Sequence, residues 1–191
     1  MPTFSMMTTV GGYVIGEVSS ALQKAIRRGE ERDAMFWASE LDLTGYGNYV
    51  WKRLRLIASE DVGLADPEAV LLTRALYENW CDQLKADRSN DKKAVGSAPL
   101  ILLHGVAVLC RARKSRLTDH AYMVFYEGER APIEVPDYAF DKHTAKGRKM
   151  KRGVDHFFEE GTKLENAADI PDPYLHEGRL ARTSPVRRSY P

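Results

Sequence analysis

The sequence predicts an all-α fold, a compact multi-helix domain of antiparallel helix hairpins followed by an irregular, extended C-terminal tail. Three observations carry this expectation. Apolar residues recur at helical spacing through most of residues 17–112. Caps and breakers fall where those helices would start and stop. The chain, 191 residues with 43% hydrophobic side chains, is also long enough to bury a core. The expected division is one helical domain over 1–165 and a tail over 166–191.

Val18, Ala21, Leu22, Ala25 and Ile26 trace one face of a first helix, with Glu17 near its start, Arg27 and Arg28 at its end, and Gly29 to stop it. Ala34, Trp37, Ala38 and Leu41 trace a second. The Gly29-Glu30 joint is so short that the two must pair antiparallel. Thr44 to Asn48 reads as a turn, and Val50, Leu54, Ile57 and Ala58 form the stripe of a third helix that stops near Gly63. Asp66 and Pro67 make an N-cap and first helical residue. The helix they open carries Leu72, Leu76, Trp80 and Leu84, running to about Ala86.

Residues 87–96 read as a solvated loop. Leu100 to Cys110 is the most apolar segment and is expected to be a helix buried nearly all round, with His104 as a core histidine. Arg111, Arg113, Lys114 and Arg116 crowd its C-terminal end, where positive charge is favoured. Thr118 is a candidate cap for a further helix through Tyr122 and Phe125. Between Met123 and Val135 helix and hairpin both fit; helix to about Tyr126, then loop, is preferred because Pro132 and Pro136 break both elements. Residues 137–151 suggest a short basic helix.

The formal charge of +1 means that any nucleic-acid contact must come from a local cluster. Cys81 and Cys110 have neither zinc-site nor redox-pair spacing and read as packed thiols of a reducing compartment. No secretory signal opens the chain, and its longest apolar run is shorter than the ~20 residues that span a bilayer. A cytoplasmic protein with no membrane partner is expected. No phosphate-cradling GxxxxGK[ST] loop, GxSxG or HExxH occurs in the sequence, so neither ATP hydrolysis nor a common hydrolase mechanism is expected, and no cofactor is implied.

The histidines supply an alternative. Asp119-His120, Asp141-Lys142-His143 and Asp155-His156 have the ligand types of a small metal-dependent enzyme, but neighbours on a helix point ~100° apart and cannot chelate alone. The bland reading is exposed or capping side chains, and no metal-ligating residue is assigned.

The densest pattern is Tyr49 to Pro67. Its second half, IASEDVGLADP, resembles the helical C-terminal region of the RarA/MgsA replication-associated AAA+ ATPases. The SALQKAIR segment at Ser20–Arg27 resembles the opening helix of that region, and Asp33-Ala34 with Trp37 its second. Ala112-Arg113-Lys114-Ser115 and Val135-Pro136-Asp137 approximate later parts, so the likeness runs over roughly residues 17–150 in the family's order. Arg113 stands where the family has proline, and Arg116 where it has asparagine. The chain begins almost at the helical region, so the resemblance implies that region without the ATPase module. It implies a homo-oligomer, a tetramer in the family, acting in DNA replication or recombination. The expected role is a non-enzymatic scaffold or adaptor, with DNA and a separately encoded ATPase as candidate partners. A protein-binding module unrelated to DNA is a further alternative.

Read without the family, the motif residues Ser59, Glu60, Asp61, Gly63, Asp66 and Pro67 build an interhelical corner. Gly63 permits a positive φ, Asp66-Pro67 starts the next helix, and the two carboxylates can accept from backbone N–H groups of the turn. An acid/base pair is the less favoured reading. The candidate nucleic-acid residues are Lys142, Lys146, Arg148, Lys149, Lys151 and Arg152. On a continuous helix Lys142, Lys146, Lys149 and Arg152 would share a face able to follow a phosphate backbone. Phe157 and Phe158 are candidates to stack on bases. Against this stands a solvated basic helix pairing with Glu159 and Glu160.

Overall fold

The computed structural model describes residues 4–89 and 96–183. The chain divides into two compact units, Met1–Arg130 and Ala131–Pro191, a break that falls inside the span expected to form one domain. No strand forms among the described residues; the Thr8–Val14 pair is an isolated bridge.

The first unit is built from α1 (Ile15–Arg28), α2 (Glu31–Leu43), α3 (Gly47–Ile57), α4 (Pro67–Ser89), α5 (Ala98–Arg111) and α6 (Leu117–Tyr122). Of the predicted α1 stripe Val18, Leu22, Ala25 and Ile26 are buried and Ala21 is half-buried, and Ile15 extends it. Gly29 ends the helix at φ +74°, where its N–H returns to the last-turn carbonyls. The carbonyl of Cys110 would lie 3.3 Å from a Cβ at Gly29, so the αL turn and the close approach both favour glycine. Ala34, Ala38 and Leu41 put α2 against the core.

On α3, Trp51 joins Val50, Leu54 and Ile57 at zero exposure. A Cβ at Gly105 of α5 would come within 2.7 Å of the Trp51 ring. The indole therefore occupies space that only a glycine leaves. Burying a side chain of this class contributes roughly 1.5–3 kcal/mol.

Two helical faces differ from expectation. On α4, Ala69, Thr73, Leu76 and Trp80 are buried while Leu72 is exposed. A strict step of four drifts ~40° per turn around the helix, so the buried line runs through spacings of four and three. On α5, Leu102, Gly105, Val106, Leu109 and Cys110 are buried, but Leu100 and His104 face solvent. This helix has one wet face, and His104 is not a core residue. Residues 87–89, expected in a loop, extend α4, whereas 90–95 of that loop lie outside the described residues. The Asp87 carboxylate accepts from the backbone N–H of Ala98 at 2.9 Å, tying the end of α4 to the start of α5. Lys114 closes the other end of α5, its ammonium donating to the carbonyls of Leu109, Cys110 and Ala112. Thr118 does not cap α6; the Ser115 hydroxyl accepts from Leu117 N instead. The helical path continues as a π turn over Met123–Glu127, so the 123–135 stretch is helix then loop.

The second unit holds a 3-10 turn at Asp137–Ala139, α7 (Ala145–Lys149), α8 (Val154–His156) continuing as a π turn to Gly161, and α9 (Leu175–Thr183). The last lies in the stretch expected to be extended; Asp172 accepts from Tyr174 N just before it, and Glu177 and Arg182 suit its dipole. Among the described residues every buried hydrophobic of the chain belongs to the first unit. No described helix is long and apolar enough to cross a membrane.

Candidate functional site

After Ile57 the chain widens into a π turn over Ala58–Val62, then a 3-10 turn over Gly63–Ala65, before α4 begins. Gly63 has φ +51° and ψ −126°, a conformation strained for any L side chain. The Asp66 carboxylate accepts from Ala69 N at 3.2 Å, capping α4, and Pro67 takes its first position. Ser59 faces outward at the rim.

The π turn directs Glu60 and Asp61 inward. Asp61 has no solvent exposure, and Arg27 Nε donates to its Oδ1 at 2.7 Å. The other end of the same guanidinium donates to Glu60 Oε1 at 3.0 Å. Gln23 Nε2 donates to that oxygen at 2.8 Å, and its own amide oxygen accepts from Arg53. Arg116 bonds Asp119 and stands 3.6 Å from Asp61 Oδ1 and 3.8 Å from Glu60 Oε1. The backbone joins too, Ser115 N donating to Asp61 O at 2.9 Å. The hydrogen bond to Asp61 holds the Arg27 pKa above its ordinary value despite partial burial.

The carboxylates thus accept from arginine and glutamine side chains, not from the backbone N–H groups expected. Motif spacing could not show this, because Gln23, Arg27, Arg53 and Arg116 come from three separate segments. One signal was present: Gln23 and Arg27 stand at i, i+4 on the flank of an otherwise apolar face. Chemically the arrangement is a clamp joining α1, the corner and the segment after α5. Arg116, at the position where the resemblance implied asparagine, supplies part of it.

Beside the clamp lie two adjoining hollows. One, of ≈ 450 Å³, is lined by Leu56, Ser59, Glu60, Thr118, Asp119 and Tyr122. The other, of ≈ 380 Å³, shares Ser59 and Thr118 and continues past Leu64, Pro67 and Leu71. Neither contains a histidine or cysteine that could activate a hydroxyl. Of the Asp/His pairs, Asp141 and His143 meet directly, with 2.8 Å between Oδ2 and Nδ1. That contact holds the Asp141 carboxyl below its usual range. Among the described residues no group of three or more His, Cys, Asp or Glu side chains converges as a metal would require.

The basic segment does not form the expected continuous stripe. Its helix is only Ala145–Lys149, because Thr144 caps it, accepting from Gly147 N, and Lys151 takes a positive φ. A Cβ at Gly147 would lie 1.9 Å from Asp141 O, which packs the short helix against its own loop. Lys142 and Arg152 fall outside it. Arg152 binds both carboxylate oxygens of Asp137 and the carbonyls of Asp137 and Phe140. Arg148 donates to His143 O, and Lys142 and Lys146 lie over the rings of Phe157 and Phe140. Phe157 and Phe158 pack edge to face on each other, with His143 against the former and Arg179 over the latter, so both rings already have partners. Lys149 and Lys151 are exposed and make no ion pair among the described residues.

Residues 29–169 match the family model of the MgsA AAA+ ATPase C terminal. The chain belongs to this family. Within the MgsA C-terminal family, similar proteins include the replication-associated recombination protein A of Haemophilus influenzae, 28% identical over 163 residues, and that of Bacillus subtilis, 27% identical over 165. The ATPase WRNIP1 of Dictyostelium discoideum is 24% identical over 180 residues. These alignments cover 83, 82 and 91% of this chain but 32, 36 and 19% of the relatives. The chain therefore spans about a third or less of the length of the curated relatives it matches, and corresponds to their C-terminal region.

Proposed function

We propose that this MgsA C-terminal-type chain is a non-enzymatic, oligomeric helical module of a replication and recombination system, acting as scaffold or adaptor. The observation that carries the reading is the family match, confined to the helical C-terminal region of proteins named for replication-associated recombination. The site chemistry is consistent with it. Glu60 and Asp61 are engaged by arginines rather than left free beside the hollows.

Assembly into a homo-tetramer is the family's expectation, and an ATPase is proposed as its partner. Weak DNA contact falls to Lys149 and Lys151, helped by Lys146 and Arg148, because Arg152 is committed within its own unit. The two free thiols suit the cytoplasm. The test is light scattering on the purified chain beside an ATP turnover assay. A discrete oligomer with no turnover supports the reading, and turnover by the chain alone, or a stable monomer, removes it.

A further inference from the structure

The hollow of ≈ 450 Å³ beside the clamp combines apolar surface with unbonded acceptors. Leu56 and the ring of Tyr122, each about half exposed, supply the apolar part. Glu60 and Asp119 bring carboxylates, Ser59 and Thr118 bring hydroxyls, and no lining side chain carries a nitrogen. Every bond that the Glu60 carboxylate accepts falls on Oε1, and the one to Asp119 falls on Oδ2. Glu60 Oε2, Asp119 Oδ1 and the two hydroxyls therefore have no partner among the described residues. The adjoining hollow of ≈ 380 Å³ shares Ser59 and Thr118, has no charged lining residue and is walled by Pro67, Val70 and Leu71.

We infer that the two hollows bind a short segment of a partner protein, with an arginine in the first and a neighbouring apolar side chain in the second. Charge selects a cation. Glu60, Asp61 and Asp119 share the two guanidiniums of Arg27 and Arg116, while Arg53 bonds only the Gln23 amide. Asp61 Oδ2, wholly buried, is left without a partner. A third guanidinium evens the count and meets acceptors that nothing in the chain occupies. Shape selects arginine among cations. Its planar head can fork across two carboxylates or lie flat on the Tyr122 ring, and its aliphatic stem suits Leu56; a lysine ammonium is a point charge with neither property. The second hollow selects a peptide over a free cation. Because the hollows share Ser59 and Thr118, a side chain next to the arginine reaches the apolar one, and both hydroxyls are free to bond the peptide backbone. The inference gives the adaptor a partner chemistry and does not rest on self-assembly, since a chain of any molar mass can hold such a segment.

The test is fluorescence anisotropy on the full chain. The probes are a labelled tetrapeptide with arginine followed by leucine, its twin with neutral citrulline for arginine, and N-acetylarginine amide as competitor. The arginine peptide is expected to bind, and the citrulline twin to bind ~10-fold more weakly. The amide is expected to compete only at ~10-fold higher concentration, having nothing for the second hollow. Asp119→Asn, which keeps an acceptor for Arg116, is expected to weaken the peptide ~10-fold. Ser59→Trp, at an exposed position on the shared rim, is expected to abolish binding with the melting temperature unchanged. Leu71→Ser is expected to weaken the peptide and leave the amide unaffected. Equal binding of the citrulline twin, or binding that survives Ser59→Trp in the folded chain, overturns the inference. An amide that competes as well as the peptide overturns it too, leaving a site for a small cation only. So does a wild type that binds no peptide while Ser59→Trp lowers its molar mass, because the occupant is then a second copy. A monomeric wild type that binds the peptide overturns the assembly reading alone.

Discussion

Arg27 Nε lies 2.7 Å from Oδ1 of Asp61, a carboxylate with no solvent exposure, thirty-four positions further along the chain. Replacing the arginine leaves that buried charge with only the longer contact to Arg116. Arg27→Met is expected to destabilise the first unit by ~3 kcal/mol, because an unpaired buried charge costs more than the pair contributes. Arg27→Lys, which cannot reach both Asp61 and Glu60 with a fork, falls between. Urea unfolding followed by circular dichroism checks both.

Asp42 is half-buried and has its pKa raised by burial. The folded state therefore holds this proton more tightly than the unfolded chain does. Stability falls as pH rises from the ordinary carboxylate range through the raised folded value, and the charged form is unfavourable at neutral pH. Asp42→Asn is expected to raise the melting temperature at pH 7 and to leave it unchanged well below the unfolded pKa. A lowered melting temperature at pH 7 would show that the charge is needed.

These two residues mark what could be read from sequence. Helix positions were legible because caps such as Asp66-Pro67 and stops such as Gly29 are local, and burial follows periodicity. The α4 face was misread at Leu72, where a step of four drifts off the buried line. The wet face of α5 was missed because a uniformly apolar segment has no period to orient it; Leu100 and His104 look like core residues until their neighbours are known. Glu60 and Asp61 stood out as a pair, but their partners Gln23, Arg27 and Arg116 are remote in sequence. The basic segment failed through helix length. Thr144 and Gly147 confine the helix to five residues, and Arg152 turns back to Asp137.

The thiols should differ in reactivity. Cys110 is buried, and burial pushes its pKa up to about 11, whereas Cys81 is partly open. At pH 8 alkylation is expected to label Cys81 first, with Cys110 reacting only at the rate of opening. Equal rates in mass-resolved labelling would contradict the packing of α5.

Charge reversal separates the basic residues by role. Lys149→Glu with Lys151→Glu is expected to weaken single-stranded DNA binding and to reduce the salt slope by about one to two, without loss of helicity. Arg152→Ala is expected to loosen the 137–152 segment, read as faster amide exchange at Phe140. Binding that is indifferent to the lysine pair removes DNA contact from this segment.

The most direct test of the account is the molar mass of the purified full chain at micromolar concentration, by light scattering across a dilution series. A discrete multiple of the 21.6-kDa chain, constant over the upper part of the series, is the predicted result. A monodisperse 21.6-kDa species throughout would contradict the central claim that this helical module assembles with copies of itself.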